Sequence, residues 1–330
     1  MNFIATLSRP LGVGLTVLGL MLNACSGGGQ KQADSDQKEG QTDSKTADKE
    51  TEAQKTITIK GSDTAEELVR ALAKAFRNAG NEDIDIRVEG GGSGLGITSL
   101  IDRNADMANA SRPIKDQEVK RAQDNGVNPN PFVIAEDGLA LIVHADNPVE
   151  GLDMQQVSGL YQGKINQWKE VGGTDSPVVA YSRSISSGTY VYFRDNAVKG
   201  DYGSSVVRKD GNKDIVQAVR NDPQGIGYVG LGYALKADGS VLPGLRVLPI
   251  AKTPNARMAS PLKPENIISG DYPLARPLYH YINGQPEGIV AEFLRFEMSP
   301  KGREVIEQVG FYPPTEAHQK NNQRLLQGDV

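Results

Sequence analysis

The run Phe132-Val133-Ile134-Ala135-Glu136-Asp137-Gly138-Leu139-Ala140-Leu141-Ile142-Val143 restricts the fold more than any other stretch of the chain. It is apolar except for Glu136-Asp137-Gly138 near its middle. A single buried strand needs about four to eight apolar residues. An apolar run of that length, interrupted near its middle by two acids and a glycine, suits a segment crossing between two lobes. Two hydrophobic bodies linked by a crossing segment follow from this. A chain of 330 residues with 38% hydrophobic content can fill both.

The rest of the folded part alternates strand and helix patterns. Thr56 to Lys60 alternates around Ile57 and Ile59 and runs into Gly61-Ser62-Asp63-Thr64. From Ala65 the apolar positions Leu68, Val69, Leu72, Ala75 and Phe76 recur at helical spacing, with Asp63 and Glu66 placed as a capping box. Ile84, Ile86 and Val88 form a second strand ending in Glu89-Gly90-Gly91-Gly92-Ser93-Gly94-Leu95-Gly96, and Ile97, Leu100 and Ile101 begin another helix. A third strand ends at Asn109-Ala110-Ser111-Arg112-Pro113, and a helix from Ile114 to Gln123 follows. Val178 to Tyr181 leads into Arg183-Ser184-Ile185-Ser186-Ser187-Gly188-Thr189 and the apolar run Tyr190 to Phe193. Further on, Ile215 to Arg220 is helical, Gly225 to Val229 and Arg276 to Asn283 are strands, and helices span Glu287 to Met298 and Lys301 to Val309. The class is α/β with parallel or mixed sheets.

Four of these strand ends carry hydroxyls, glycines or a guanidinium ahead of a helix, and such junctions present free N–H groups and a positive helix end to an anion. Taken singly, Ser62-Asp63-Thr64 is more simply a helix cap. The three consecutive glycines at 90–92 argue for close backbone approach, although their spacing is neither that of a dinucleotide fold nor a Walker loop. Ser93 and Ser187 have no candidate base beside them, Gly-x-Ser-x-Gly is absent, and His144, His280 and His318 are isolated in sequence. Binding of an anion is therefore expected rather than catalysis or a metal site. The formal net charge is −5, and −6 without residues 1–24, which hold one arginine and no acid. Nucleic acid is not an expected partner, since its phosphates require a clustered basic surface.

At the N-terminus, Arg9 precedes the apolar segment Leu11 to Leu22, which is too short for a spanning helix and reads as a secretory signal. The single cysteine, Cys25, follows in Leu22-Asn23-Ala24-Cys25, which resembles the lipobox of bacterial lipoproteins. The expectation is a leader over residues 1–24 and a diacylated Cys25 that anchors the protein to an envelope membrane. Residues 25–55 are polar and cannot bury enough surface to offset chain entropy, so they read as a disordered tether.

Read together and in order, these stretches resemble the phosphate-binding proteins that serve the bacterial phosphate ABC importer. The resemblance rests on Gly61-Ser62-Asp63-Thr64, Gly91-Gly92-Ser93-Gly94, Ser111-Arg112-Pro113, Asp137-Gly138-Leu139-Ala140 and Gly163-Lys164-Ile165-Asn166-Gln167-Trp168. It continues through Arg183 with Ser187-Gly188-Thr189, Gly225-Ile226-Gly227-Tyr228-Val229 and Arg276-Pro277-Leu278-Tyr279, so it covers about residues 57 to 310. It implies a type II periplasmic-binding-protein fold with two lobes joined by two crossover strands, lobe one from residues 56–140 and 250–330 and lobe two from 141–249.

The same resemblance implies a non-enzymatic, cofactor-free, monomeric extracytoplasmic protein that captures inorganic phosphate for permease and ATPase subunits. Alternatives are another oxyanion such as sulfate or molybdate, or a sensing or adhesion role without import. Thr64, the N–H of Ala65, Ser93 and Ser111 would be the ligands from lobe one, and Arg183, Ser187, Gly188 and Thr189 those from lobe two. Many relatives carry an aspartate that accepts the phosphate proton where this chain has Ser111-Arg112. Asp137 is expected to supply that acceptor, because a carboxylate repels sulfate but accepts a hydrogen bond from protonated phosphate. The other reading of Asp137 is a turn-former before Gly138. Arg112 has three readings: a second cation on the ligand, a lobe-closing partner of Glu136 or Asp137, or a surface residue.

Overall fold

The computed structural model describes residues 55–329. The leader, Cys25 and all of the tether but Lys55 lie outside the described residues. Ile57 and Ile59 are the buried aliphatic positions of β1 (Lys55–Gly61), which pairs in parallel with β2 (Ile84–Gly91) and β3 (Met107–Ala110). With β4 (Pro129–Gly138) and the antiparallel β12 (Ala275–Asn283) they form a five-stranded sheet in the order β2-β1-β3-β12-β4. A second five-stranded sheet contains β5 (Ala140–His144), β7 (Val179–Arg183), β8 (Val207–Lys209), β9 (Gly225–Val229) and β10 (Leu245–Leu248), in the order β10-β5-β9-β7-β8. The short strands β6 (Leu152–Asp153) and β11 (Ile250–Ala251) pair separately.

Each sheet is covered on both faces. Leu68, Val69, Leu72 and Phe76 of α1 (Asp63–Asn78) pack on Ile57 and Ile59, with Phe293 and Leu294 of α8 (Gly288–Met298) and Val305 and Ile306 of α9 (Pro300–Gln308). On the opposite face, Ile97, Leu100 and Ile101 of α2 (Ser93–Ile101) meet Ala108 and Ala110, beside Ala122 of α3 (Asp116–Asp124). In the second sheet β5 is buried on both sides. Leu141 and Val143 face Val157 of α4 (Met154–Gln162) and Phe193 of α5 (Gly188–Phe193), whereas Ala140 and Ile142 face Ile215 and Val219 of α6 (Asn212–Arg220). No helix among the described residues is long and apolar enough to cross a membrane.

The crossing segment behaves as its sequence predicts. β4 belongs to the first sheet and β5 to the second, with Leu139 between them in the core of the second lobe. Gly138 sits where a Cβ would meet Ile267 at 2.8 Å and Pro261 at 3.0 Å, so the bend leaves no room for a side chain. The return crossing lies beside it: Leu139 N–H donates to Leu274 O at 3.1 Å, and Ala275 pairs with Gly138. The point of return differs from the sequence reading, which placed residues from 250 onward in lobe one. Ile250, Ala259, Ile267 of α7 (Pro264–Ile268), Tyr272 and Leu274 pack in the core of lobe two, and the chain re-enters lobe one at about residue 275. This segment has no periodic pattern of its own, so only packing decides its lobe.

A terminal helix, α10 (Glu316–Gln327), lies beyond the last element expected from sequence. Its Asn322 accepts from Val133 N–H at 2.9 Å and donates to Val133 O at 2.8 Å, at the register shift where β4 skips a residue against β12. The amide group thereby satisfies backbone groups of Val133 on β4, an edge strand of its sheet.

Candidate anion-binding site

The strand ends noted in sequence converge where the two lobes meet. Ser62 ends β1 and caps α1, its hydroxyl accepting the Thr64 N–H at 3.2 Å. Asp63 and Glu66 do not form the expected capping box, because Glu66 pairs with Arg70 and Asp63 turns toward the second lobe. Thr64 follows, buried, with its hydroxyl 2.8 Å from that of Thr189 in lobe two. The glycine loop ends at Gly92, whose φ of +95° suits glycine alone and whose Cβ would lie 2.5 Å from Ser186 O across the seam. Ser93 Oγ accepts the Ser111 N–H at 3.0 Å and lies 3.3 Å from Ser111 Oγ. Thr189 Oγ1 is 3.2 Å from Ser111 Oγ. Four buried hydroxyls, Thr64, Ser93, Ser111 and Thr189, therefore form one cross-lobe cluster. Gly188 permits it, since a Cβ there would lie 2.1 Å from Ser93 Oγ and 2.8 Å from Ser111 Oγ.

Two guanidinium groups border the cluster. Arg183, at the end of β7, is fully buried; its Nη2 donates to Asp63 Oδ2 at 2.6 Å and its Nε to Asp210 O at 3.0 Å. Its Nη1 is buried without a hydrogen-bond partner. Behind it, the Arg183 N–H donates to the Tyr228 hydroxyl at 3.2 Å, and burial raises the pKa of Tyr228 so that it stays neutral. The second guanidinium, Arg276, was assigned no role from sequence. It opens β12, and its Nη2 reaches Thr189 Oγ1 at 3.0 Å while its Nη1 donates to Ser111 O at 2.9 Å. Its plane lies over the Tyr192 ring, 5.1 Å from the centroid. Its place in Arg276-Pro277-Leu278-Tyr279, at the start of the returning strand, was the available signal.

Arg276 also changes the reading of Asp137. The carboxylate does face lobe two from the crossover, but Oδ2 accepts from Arg276 Nε at 3.0 Å and Nη2 at 2.8 Å, and Oδ1 accepts the Leu231 N–H at 3.0 Å. Burial raises its pKa, while Arg276 and Leu231 pull the other way. Asp137 thus holds Arg276 in place, in contrast to the expected proton acceptor facing the anion, because the buried guanidinium requires a counter-charge.

Arg112 departs from its readings as well. It lies buried in lobe one, paired through Nη1 and Nη2 with both oxygens of Glu118 at 2.7 and 2.6 Å. Burial works against the Glu118 charge, but Arg112 and the Lys115 N–H together outweigh it and hold that carboxyl below its usual range. Neither Glu136 nor Asp137 is its partner. The Ala65 N–H donates to Ser62 O at 3.2 Å, and the Ser187 hydroxyl caps α5 by accepting the Tyr190 N–H at 3.4 Å, so both belong to the local turns.

Comparison with known proteins accords with this geometry. The PBP superfamily domain matches residues 46–301. The phosphate-binding protein PstS of Staphylococcus saprophyticus is 33% identical over 311 residues, covering 90% of this chain and 88% of the relative. The chain belongs to the PstS family of phosphate-binding proteins. The Pseudomonas aeruginosa PstS is 31% identical over 271 residues, covering 77% of this chain and 81% of its own length. Among solved structures, a Clostridium perfringens substrate-binding protein assigned to phosphate ABC transport and solved with bound phosphate superposes with a TM-score of 0.68 at 26% identity, covering 79% of this chain and 100% of that one. The Vibrio cholerae ABC-type phosphate transport receptor gives 0.63 at 26% identity, with coverage of 78% and 100%. The type II binding-protein fold, two α/β lobes joined at paired crossovers, is common to this PstS family member and those structures.

Proposed function

We propose that this protein captures inorganic phosphate between its lobes and hands it to an ABC importer, with no chemical step. The observation that carries this reading is the cross-lobe cluster of Thr64, Ser93, Ser111 and Thr189 flanked by two buried guanidinium groups, in a chain of the PstS family. Each guanidinium has a carboxylate partner, Asp63 for Arg183 and Asp137 for Arg276, so the site is close to neutral before the anion enters. Hydroxyls both donate and accept. They can give hydrogen bonds to unprotonated phosphate oxygens and accept one from the P–OH of monohydrogen or dihydrogen phosphate, a group that sulfate does not carry. Selectivity would then reside in the hydroxyl cluster rather than in an opposing free carboxylate.

Thr64, Ser93, Ser111, Gly188, Thr189 and Arg183 are the proposed ligands from the original set, with Arg276 added. Lipidation at Cys25, an extracytoplasmic position and a monomeric state complete the proposal, and a flexible tether would give the folded part reach above a membrane. Hinge closure at the paired crossovers would present loaded protein to the permease. Calorimetric titration with phosphate, and with sulfate and molybdate as competitors, tests the ligand. One-to-one phosphate binding that excess sulfate leaves intact is expected; tighter sulfate or molybdate binding would reverse the assignment. Unchanged high-affinity phosphate uptake after gene deletion would remove the import role.

A further inference from the structure

We infer that Asp63 aims the Arg183 guanidinium into the cleft and makes that aim conditional on closure of the lobes, which rests on reading the cleft as an anion site. Arg183 is anchored from both lobes. Its Nε donates to Asp210 O at 3.0 Å within its own lobe, and its Nη2 donates to Asp63 Oδ2 at 2.6 Å in the other. A guanidinium is planar, so fixing Nε and Nη2 fixes Nη1 as well. That nitrogen is buried with no hydrogen-bond partner, a donor held ready for an acceptor that enters the cleft.

Asp63 is itself held in position. Its Oδ1 accepts the Gly91 N–H at 2.7 Å, tying it to the glycine loop, and its backbone carbonyl accepts the Tyr233 hydroxyl from lobe two. With the lobes apart, Asp210 alone would remain to Arg183, and one bond through Nε leaves the fork free to turn. Closure adds Asp63 and selects the orientation. Asp63 is thus a positioning residue, and the anion is gripped by an arginine whose geometry is completed by the opposite lobe. A second cross-lobe ion pair lies one turn further along α1, between Glu67 and Lys213. It is solvent-exposed and touches none of the cleft hydroxyls, so it provides a control for closure by charge alone.

The test compares wild type, Asp63→Asn, Asp63→Glu, Arg183→Lys, the double variant Asp63→Asn with Arg183→Lys, and Glu67→Gln. Asparagine keeps an oxygen for the Gly91 N–H, so the turn should survive, and thermal melts check this. Stopped-flow release of phosphate is expected to be faster by on the order of tenfold in Asp63→Asn, with association little changed. Asp63→Glu should recover part of that loss, and Glu67→Gln should stay within about twofold of wild type. The double variant should release phosphate no faster than Arg183→Lys alone, since Asp63 acts through Arg183.

Arginine-labelled NMR with saturating phosphate, which holds the lobes closed, reads the orientation directly. Distinct Arg183 Nε and Nη signals are expected in wild type and in Glu67→Gln, and averaged signals in Asp63→Asn. Identical Arg183 signals in wild type and Asp63→Asn, or multiplying effects in the double variant, would overturn the inference. Failure of wild type to bind phosphate would instead remove the phosphate reading, and the same NMR comparison with sulfate or molybdate, whichever binds, would then decide Asp63.

Discussion

A methyl group added at Gly188 is predicted to keep the lobes apart while leaving each of them folded. In Gly188→Ala the new Cβ would lie 2.1 Å from Ser93 Oγ, 2.7 Å from Ser93 Cβ and 2.8 Å from Ser111 Oγ. Restoring ordinary contact at about 3.5 Å requires the lobes to separate by roughly 1 Å or more. Ser93 cannot turn aside without cost, because it is fully buried and its Oγ accepts the Ser111 N–H. The residue next to Gly188, Thr189, makes three cross-lobe hydrogen bonds, to Thr64 at 2.8 Å, Ser111 at 3.2 Å and Arg276 at 3.0 Å. Stretched by about 1 Å, none of them meets hydrogen-bond geometry. Two neutral bonds at about 1 kcal/mol and one charged bond at about 1.5–3 kcal/mol bring the loss to about 3–5 kcal/mol. Phosphate affinity should then fall by roughly 10²–10⁴-fold in calorimetric titration. The φ of Gly188 lies outside the left-handed region, so alanine adds no backbone strain. The melting temperature without phosphate should accordingly stay within about 2 °C of wild type. A dissociation constant within about threefold of wild type would refute the argument from closure.

Gly92→Ala should behave differently, because its φ of +95° adds backbone strain to the contact with Ser186 O. A loss of about 1–3 kcal/mol is expected in urea unfolding even without phosphate, and an unchanged urea midpoint would argue against it. Arg276→Met strands a buried carboxylate at Asp137 and should destabilise the protein by about 3–5 kcal/mol. Adding Asp137→Leu should recover most of that stability but not phosphate binding, and a double variant as unstable as the single would place the cost elsewhere. His318 Nδ1 lies 2.5 Å from Glu136 Oε1, a hydrogen bond that raises the histidine pKa against an opposing effect of burial. A raised folded-state value means stabilisation that is complete below the unfolded pKa of about 6.5 and lost as pH rises through the folded one. The melting-temperature gap between wild type and His318→Gln should therefore be largest below about pH 6.5 and shrink as pH rises above it. A pH-independent gap would show that the contact is not an ion pair.

How much was legible in advance depends on the range of the interaction. The run from Phe132 to Val143 announced two bodies and a crossing, since burial on both faces of a strand leaves a continuous apolar pattern. The junctions at Thr64, Ser93, Ser111 and Gly188-Thr189 were equally readable, because a strand, a turn and a helix N-terminus are written within ten residues or so. The same local logic misled at Asp63, where a cap was expected and Ser62 supplies it instead.

What the tertiary structure alone decided is the pairing of charges. Asp63 meets Arg183 across 120 positions and Asp137 meets Arg276 across 139, separations that leave no periodic trace in the chain. A buried cation must have a counter-charge, but which carboxylate provides it depends on which strand ends the sheets bring together. The paired crossovers decide this. They set Arg276 beside Asp137 and close Asp63 onto Arg183, so that two acids suggestive of a cap and a proton acceptor become the supports of two arginines.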